Sequence, residues 1–214
     1  MGEGEGATYE KPLAPSPKGA PITQRYEIRL AGSGGQGLIL AGIILAEAAG
    51  VYDGKFVCQT QSYGPAARGG ASKAEVVISD AAIDYPKAIQ PDVLLAMNQK
   101  SLDAFLSDLK PGGLLLVDAD LVSEFPASRA VALPFTQIAR ELGRAMAANI
   151  VALGALAQLT GVVSLRSLEA AVLARVPKGT EDLNRRALAA GVAAAKESGP
   201  VIVPEEPGEK LEAL

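Results

Sequence analysis

The chain has 214 residues, and this length predicts one domain with a full hydrophobic core and short extensions. Its net charge of −4 argues against nucleic-acid binding, and its lack of histidine removes the commonest general base and metal ligand. The single cysteine, Cys58, can form no disulfide within the chain and cannot by itself build an Fe–S or zinc site.

The two ends of the chain differ in composition from its middle. Residues 1–24 and 198–214 are rich in Pro, Gly and charge, and we expect a flexible N-terminal arm and a C-terminal tail. Between them, residues 25–197 alternate strand and helix patterns, which predicts a single α/β domain. The first predicted elements are a strand over 26–31, a nearly all-apolar helix over 36–50 and a strand over 56–61.

The junction between the first strand and the first helix carries Gly32, Gly34 and Gly37 with G-x-G-x-x-G spacing. Backbone N–H groups at such a turn point toward its centre, and the helix N-terminus adds partial positive charge, so the pattern predicts an anion site. A bound phosphate or pyrophosphate and a tight packing turn without ligand both fit this pattern. An NAD site fits less well, because the next strand ends in amides instead of an acid, and Asp53 precedes that strand.

A second motif, Gln61-Ser-Tyr-Gly-Pro-Ala-Ala-Arg-Gly-Gly70, follows the second predicted strand. Ligands of open α/β sheets bind beyond the carboxyl ends of the strands, so we expect this loop on the same edge as the glycine turn. Its permanent cation, Arg68, can bind phosphate or carboxylate through two parallel hydrogen bonds. A ligand contact, an ion pair with a neighbouring subunit and plain solvent exposure all remain open for Arg68.

The rest of the chain continues the alternation and then becomes helical. Strands are predicted over 72–79, 93–97, 114–117 and 130–133 and helices over 99–109, 135–142 and 147–159, followed by one helix capped by Ser164 and one capped by Thr180. This pattern predicts a Rossmann-like, open, doubly wound and mostly parallel α/β sheet, covered by helices, with a helical C-terminal third. No apolar run reaches the length of a membrane span and no signal peptide is visible, so we expect no membrane contact and a cytoplasmic setting. Helices this apolar also lead us to expect a large subunit interface.

Polar residues interrupt the apolar patterns at a few positions. We expect Asn98 to cap the helix that follows it, or to face the same edge as the glycine turn. Asp118 and Asp120 close a strand and are expected as turn or cap residues, with a paired-carboxylate site as the alternative. Asn149 lies in an otherwise apolar helix and needs partners, which we expect at a subunit interface. Met146 is expected in the core.

Together, the two motifs resemble the gamma subunit of 2-oxoacid:ferredoxin oxidoreductases, within the pyruvate ferredoxin/flavodoxin oxidoreductase gamma family and most closely the 2-oxoglutarate type. The resemblance covers about residues 26–195. Further matches are Ile83-Asp-Tyr-Pro86, Pro91-Asp92, Ala96-Met-Asn-Gln99, Lys110-Pro-Gly-Gly113, Ala148-Asn149, Leu153-Gly-Ala155, Leu159-Thr-Gly161 and Arg175-Val-Pro-Lys-Gly179. One position departs from the family pattern, because Ala66 stands where the family usually has an acid after Gly-Pro.

The resemblance implies a non-autonomous subunit of a complex that oxidatively decarboxylates a 2-oxoacid, with 2-oxoglutarate as the expected substrate and coenzyme A as the acyl acceptor. Thiamine diphosphate, Mg²⁺ and [4Fe–4S] clusters are then expected in partner subunits, namely alpha, beta and a ferredoxin-like delta subunit, with external ferredoxin as electron acceptor. This chain is expected to supply no catalytic and no metal-binding residue. The residues expected to face coenzyme A, with its pyrophosphate at 34–37, are Gly32, Ser33, Gly34, Gly35, Gln36, Gly37, Ser62, Tyr63, Gly64, Arg68, Gly69 and Asn98. The alternative is a stand-alone nucleotide-binding regulatory module.

Overall fold

The computed structural model describes residues 25–63, 71–127 and 130–198; the predicted arm and residues 199–214 of the predicted tail lie outside them. The strands are β1 (Tyr26–Ser33), β2 (Phe56–Tyr63), β3 (Ala71–Ser79), β4 (Val93–Ala96), β5 (Leu114–Asp118) and β6 (Ala130–Leu133). The α-helices are α1 (Leu38–Glu47), α2 (Gln99–Phe105), α3 (Phe135–Glu141), α4 (Ala148–Thr160), α5 (Leu165–Arg175) and α6 (Glu181–Glu197). Short helical turns of other types occupy Ala48–Tyr52, Leu106–Asp108 and Ala145–Ala147.

These strands form one sheet in the order β2-β3-β1-β4-β5-β6. β1, β4, β5 and β6 run parallel, as predicted, whereas β3 pairs antiparallel with both β1 and β2. The predicted alternation of strands and helices is therefore interrupted between β2 and β3. Their connection, residues 64–70, is too short for the crossover that parallel neighbours need. Since β3 reverses direction relative to both neighbours, Gly32 of β1 and Tyr63 of β2 both pair with Ser72. β1 and β2 thus end at the same side of the sheet, which we call the carboxyl edge.

The two faces of the sheet are covered unequally. Side chains from α1, α3, α4, α5 and α6 join the larger core on one face, together with Leu30 and Leu95 of the strands. The opposite face carries α2 and a smaller cluster that contains Leu94 and Leu102. Neighbouring residues of β4 thus enter different cores, as expected for a strand that is buried on both faces.

The contact between α4 and α6 explains why α4 is apolar almost all round. A Cβ atom on Gly191 would overlap the carbonyl oxygen of Val151, and one on Gly154 would overlap that of Leu188. The two helices therefore touch backbone to backbone, which only glycine permits at the crossing. The apolar surface of α4 is covered within the chain, so this helix does not support the predicted large subunit interface.

The most apolar helix, α1, is shorter than the predicted span of 36–50. It begins at Leu38, because the side chain of Gln36 closes the preceding turn, and its last turn widens into the π-helical segment Ala48–Tyr52. Gly50 of that segment packs against β2, where a Cβ atom would lie 2.6 Å from Cγ1 of Val57. Among the described residues, no helix is both long enough and apolar enough to cross a membrane.

Candidate anion site at the glycine turn

The glycines between β1 and α1 have different structural roles. A Cβ atom on Gly32 would lie 2.5 Å from Oε1 of Gln36 and 2.6 Å from Cδ1 of Leu38, so this position admits no side chain. Gly35 and Gly37 have φ values of 93° and 73°, a conformation that favours glycine. Gly34 is exposed, and no heavy atom would lie within 4 Å of a Cβ atom built on it. The turn is thus rigid around Gly32 and Gly37 and open at Gly34.

Several backbone donors of the turn have no acceptor in the part of the chain that the structure describes. Ser33 N donates to Oε1 of Gln36 at 2.7 Å, and Gln36 N donates to the Ser33 carbonyl oxygen at 3.2 Å. Within the described residues, the N–H groups of Gly34, Gly35 and Leu38 donate no hydrogen bond. The first turn of α1 contains no acidic residue and its N-cap, Gly37, offers no side chain. No described residue therefore caps or neutralises the positive end of this helix, as an anion site requires.

Amide side chains brace the turn on the side of α2. Gln36 Nε2 donates to the Met97 carbonyl oxygen at 2.9 Å, and Asn98 Nδ2 donates to Ser33 Oγ at 2.6 Å and to Gln36 Oε1 at 3.2 Å. Asn98 Oδ1 also accepts from Ser101 N at 2.8 Å, so this residue both caps α2 and holds the turn. The structure thus brings the predicted residues Ser33, Gln36 and Asn98 together, and their side chains bind one another.

A further residue, Asn149, braces the turn from the opposite side and was not among the residues predicted to face a ligand. It is 5% exposed at the start of α4, and its Nδ2 donates to the Gly37 carbonyl oxygen at 3.0 Å. A Cβ atom on Gly37 would lie 2.6 Å from that Nδ2. The expectation that Asn149 finds its partner at a subunit interface is wrong, because Gly37 of the same chain accepts its hydrogen bond. The sequence signal was a single amide in an apolar helix.

The second sequence motif begins where β2 ends. Ser62 and Tyr63 are the last residues of β2 and lie at the carboxyl edge, where Ser62 is exposed. Gly64, Arg68 and Gly69 lie outside the described residues. The register therefore confirms that this loop starts at the same edge as the glycine turn, and the role of Arg68 stays a prediction.

The paired acids at the end of β5 are structural residues. Asp118 is buried, and it accepts hydrogen bonds from the Thr136 hydroxyl at 2.5 Å and from Thr136 N at 3.4 Å, at the start of α3. Burial raises the pKa of Asp118, and the hydrogen bonds from Thr136 oppose that rise. Asp120 accepts from Gln137 N at 2.5 Å. Both acids cap α3, as predicted, and the described residues contain no group of His, Cys, Asp and Glu that could hold a metal ion.

Asp53, the only acid near the spacing of a ribose-binding carboxylate, lies far from the glycine turn along the sheet. It precedes β2, at the end opposite to the carboxyl edge, and accepts from the Ser164 and Ser167 hydroxyls at 3.1 and 2.6 Å. The same carboxylate accepts from Ser164 N at 2.8 Å. It therefore anchors the start of α5, and the described residues contain no NAD-type acid at the turn.

A charged cluster lies on the α2 face of the sheet. Arg29 and Glu75, which are 3% and 4% exposed, pair at 2.8 Å, and Lys73 Nζ donates to Glu75 Oε1 at 2.7 Å. Arg29 also pairs with Asp108 and lies 5.2 Å from the ring centre of Phe105. Burial alone would raise the pKa of Glu75, but the hydrogen bond from Lys73 and the charges of Arg29 and Lys73 lower it overall below 4.5. The cluster thus fixes the end of α2 to β1 and β3.

A cavity of about 300 Å³ opens beside the glycine turn on the face that carries α4 and α6. We call it the groove; its lining residues include Gly35, Gly37, Leu40, Ile150 and Leu183. Met146 stands in its wall with 71% of its surface exposed. The prediction that Met146 belongs to the core is wrong, because the turn Ala145–Ala147 turns this side chain outward before α4 begins.

The sequence matches known proteins over most of its length. A family model described as pyruvate ferredoxin/flavodoxin oxidoreductase matches residues 27–194. Subunit KorC of 2-oxoglutarate synthase from Methanocaldococcus jannaschii is 54% identical over 181 residues, which cover 82% of this chain and 97% of that subunit.

Two solved structures share the fold. The gamma subunit of a keto/oxoacid ferredoxin oxidoreductase from Geobacter sulfurreducens matches with a TM-score of 0.76 and 52% identity, covering 82% of this chain and 98% of that one. A 2-oxoglutarate:ferredoxin oxidoreductase from Magnetococcus marinus, with 2-oxoglutarate, coenzyme A and succinyl-CoA bound, matches with a TM-score of 0.73 and 26% identity. That match covers 86% of this chain and 34% of the longer chain.

Proposed function

The chain belongs to the pyruvate ferredoxin/flavodoxin oxidoreductase family, and we propose that it supplies the coenzyme A-facing surface of an enzyme that oxidises 2-oxoglutarate. The family resemblance and the predicted α/β fold are both confirmed. The chain is a gamma-type subunit of a 2-oxoacid:ferredoxin oxidoreductase and acts within a complex of several subunits. The substrate, the coenzyme A contact and the identity of the partner subunits are parts of the proposal.

The proposed reaction releases CO₂ from the 2-oxoacid and transfers the remaining acyl group to the thiol of coenzyme A. Thiamine diphosphate with Mg²⁺ would supply the decarboxylation chemistry, and [4Fe–4S] clusters would pass the two electrons singly to ferredoxin. We assign these groups to alpha, beta and ferredoxin-like delta subunits, because this chain has one cysteine and no histidine. The lack of a cysteine pair also agrees with the cytoplasmic setting that we propose for the complex.

One observation carries the coenzyme A proposal, namely the open turn at Gly34. Its N–H groups lack acceptors among the described residues, and the N-terminus of α1 behind it carries no acid. The pyrophosphate of coenzyme A is an anion that such a turn binds well. The Magnetococcus relative with coenzyme A bound supports the choice of this ligand. Ser33, Gln36, Asn98 and Asn149 then act as positioning residues that hold the turn.

The name of the KorC relative supports 2-oxoglutarate as the substrate. The chain itself offers Arg68 as a further contact for the substrate carboxylate or for a phosphate of coenzyme A, since a guanidinium binds either group at two points. In the sequence, Ala66 precedes Arg68 by two positions and stands where the family usually has an acid, so this motif carries one negative charge fewer than the family pattern.

The proposal is tested by purifying the chain from its source and identifying its companions by mass spectrometry. We expect it to arrive with a thiamine-binding chain and an Fe–S chain, in a fraction that oxidises 2-oxoglutarate only when coenzyme A is present. Pyruvate and branched-chain 2-oxoacids serve as matched controls for the substrate. A colourless chain that purifies alone would contradict the proposal and favour the stand-alone nucleotide-binding module.

A further inference from the structure

β2 forms one edge of the sheet, and no described strand pairs with its outer side. It is eight residues long, whereas β6 at the opposite edge has four. None of its residues is charged and none is proline, although β1 and β3 further inside the sheet carry Glu27, Arg29, Lys73 and Glu75. Edge strands of soluble proteins are usually protected from pairing by charge, proline or shortness. A long edge strand without these features is typical of a strand that pairs with another chain.

The hydrogen bonds of β1 show which residues of β2 face outward. The odd-numbered Glu27 and Ala31 direct their carbonyl oxygens toward β4, where Asp92 N and Met97 N donate to them at 2.8 and 2.9 Å. Successive residues of a strand direct their N–H and C=O groups to alternate sides, so the even-numbered residues of β1 bond to β3. The registers of β1 with β3 and of β3 with β2 continue this alternation, so the even-numbered residues of β2 bond to β3. The odd-numbered residues, whose N–H and C=O groups face away from the sheet, are Val57, Gln59, Gln61 and Tyr63.

The outer edge of β2 is already covered just before Val57. Lys55 N donates to the Ala49 carbonyl oxygen at 2.9 Å, so the π-helical segment Ala48–Tyr52 occupies the edge there. The edge that no described residue pairs with therefore runs from Val57 to Tyr63. Its outward residues are placed symmetrically about Thr60, two on each side.

We propose that β2 pairs antiparallel with β2 of a second copy of this chain, about a two-fold axis that is perpendicular to the sheet at Thr60. Such an axis preserves the two faces of the sheet, so each residue meets a residue from the same face of the second copy. Every outward N–H and C=O group between Val57 and Tyr63 then has a partner. The opposed residues are Val57 with Tyr63, Cys58 with Ser62, Gln59 with Gln61, and Thr60 with itself.

The neighbouring registers fit less well. An axis at Gln59 would place Tyr63 opposite Lys55, whose N–H is already bound to Ala49. An axis at Gln61 would place Val57 opposite a residue beyond the end of β2. Only the axis at Thr60 uses the whole free edge.

The side chains of β2 permit this pairing because they are uncharged, so no like charges meet across the axis. Thr60 Oγ1 donates to Glu75 Oε2 at 3.3 Å, which places Thr60 on the face that carries α2. Its meeting with Thr60 of the second copy is a favourable cross-strand pair.

The helices on the opposite face leave room for the second copy. A Cβ atom on Gly42 of α1 would lie 2.7 Å from Cβ of Ala74, so α1 lies over β3, one strand in from the edge. The α1 helices of two copies would then be three strand spacings, or about 14 Å, apart. This distance exceeds the axial separation of about 8–10 Å at which helices pack, so the two helices do not clash.

Pairing of this kind joins two six-stranded sheets into one continuous sheet with β2 at its centre. Because the two copies run antiparallel, their carboxyl edges and glycine turns point in opposite directions. The complex then holds this subunit in even numbers, with one anion site at each end of the joined sheet. This inference goes beyond the proposed function and does not depend on which anion the turn binds.

The test is disulfide formation in the assembled complex, with Cys58→Ser as the background so that one new cysteine is the only one in this chain. Thr60→Cys should link two copies, because opposed residues that share no hydrogen bond have Cα atoms about 4.5 Å apart, within disulfide range. Phe56→Cys is the matched control. It lies on the same face and is 53% exposed, but the two copies of this position are eight residues, or about 27 Å, apart along the strand. We expect a cross-linked pair from Thr60→Cys and none from Phe56→Cys.

A charge exchange tests the register separately. Gln59→Lys with Gln61→Lys places like charges opposite one another and should slow cross-linking of Thr60→Cys at least about tenfold. Gln59→Lys with Gln61→Glu introduces as many charges but opposes unlike ones, and it should restore the rate. A thermal unfolding curve checks that both variants fold.

Two results would overturn the inference. Equal cross-linking of Thr60→Cys and Phe56→Cys, or of neither, would mean that β2 does not pair with a second copy. A disulfide from Thr60→Cys to a different subunit would assign the edge to that subunit instead. Binding of coenzyme A by the complex is measured independently, so either result leaves the proposed function standing.

Discussion

The glycine turn and the charged cluster lie on the same sheet, but uncharged amides hold the turn whereas ion pairs hold the cluster. In the cluster, Arg29 and Lys73 both pair with Glu75. At the turn, the bracing groups are the uncharged amides of Gln36 and Asn149 together with Asn98, and backbone donors are left over. Charges that are satisfied within the chain serve the fold, whereas an anion site keeps its positive potential only if the groups that hold it carry no negative charge.

Removing a charge from the cluster should have the largest effect on stability. Arg29→Ala removes one of the two cations that pair with the buried Glu75 carboxylate and leaves Lys73 as the other, and we expect the free energy of unfolding to fall by about 1.5–3 kcal/mol. Urea unfolding of the purified chain measures this loss. Arg185→Ala is the matched control, because Arg185 pairs with Glu169 at the surface at 3.0 Å, and such a pair contributes about 0–1 kcal/mol. Equal losses of unfolding free energy in the two variants would mean that the charged cluster does not hold α2 against the sheet.

Removing an amide from the turn should affect binding more than stability. Asn149→Ala takes away the donor to the Gly37 carbonyl oxygen, so the turn loses one of its three bracing amides. We expect affinity of the assembled complex for coenzyme A to fall about tenfold, with the KM for the 2-oxoacid unchanged. Gln137→Ala, which removes an amide bonded to Glu141 on the exposed side of α3, is the control. A rise in both the Kd for coenzyme A and the KM for the 2-oxoacid would show that Asn149 supports the fold as a whole.

Acid should weaken the cluster and leave the turn unaffected. The folded-state pKa of Glu75 lies below its unfolded value, so its stabilisation is present above about pH 4.5 and is lost as the pH falls through the folded pKa. We expect this effect to be the smallest of the three, because burial of Glu75 opposes the shift. The pKa of Asp118 is raised, so its contribution to stability has the opposite pH dependence and is lost as the pH rises. The stability difference between wild type and Glu75→Gln below pH 5 isolates Glu75, and a difference that does not change with pH would contradict this account.

The sequence was sufficient for the elements that depend on local pattern. The strand-turn-helix at Gly32–Gly37, the cap at Asn98 and the acids that cap α3 all follow from spacing and residue type. The antiparallel direction of β3 was not predicted. Strand direction depends on whether a connection is long enough for a crossover, and a run of apolar residues does not reveal the direction of its strand.

The groove and the second brace could not be predicted in the same way. Asn149 follows Gly37 by more than a hundred residues, and the packing of α4 against α1 brings them together. The close contact at Gly154 and Gly191 sets where α6 lies and therefore where Asn184 and Leu183 line the groove. A single sequence shows these residues as isolated polar or apolar positions, and only the tertiary fold makes them a site.

The most direct test of the anion site is the affinity of the assembled complex for coenzyme A with Gly34→Asp and Gly34→Ala. A Cβ atom on Gly34 would meet no neighbour within 4 Å and Gly34 does not have a positive φ, so both variants should fold and assemble. We expect wild-type affinity for Gly34→Ala and at least about a tenfold loss for Gly34→Asp, because a carboxylate would then occupy the place of the pyrophosphate. Equal affinity of the two variants for coenzyme A would contradict the anion site at this turn.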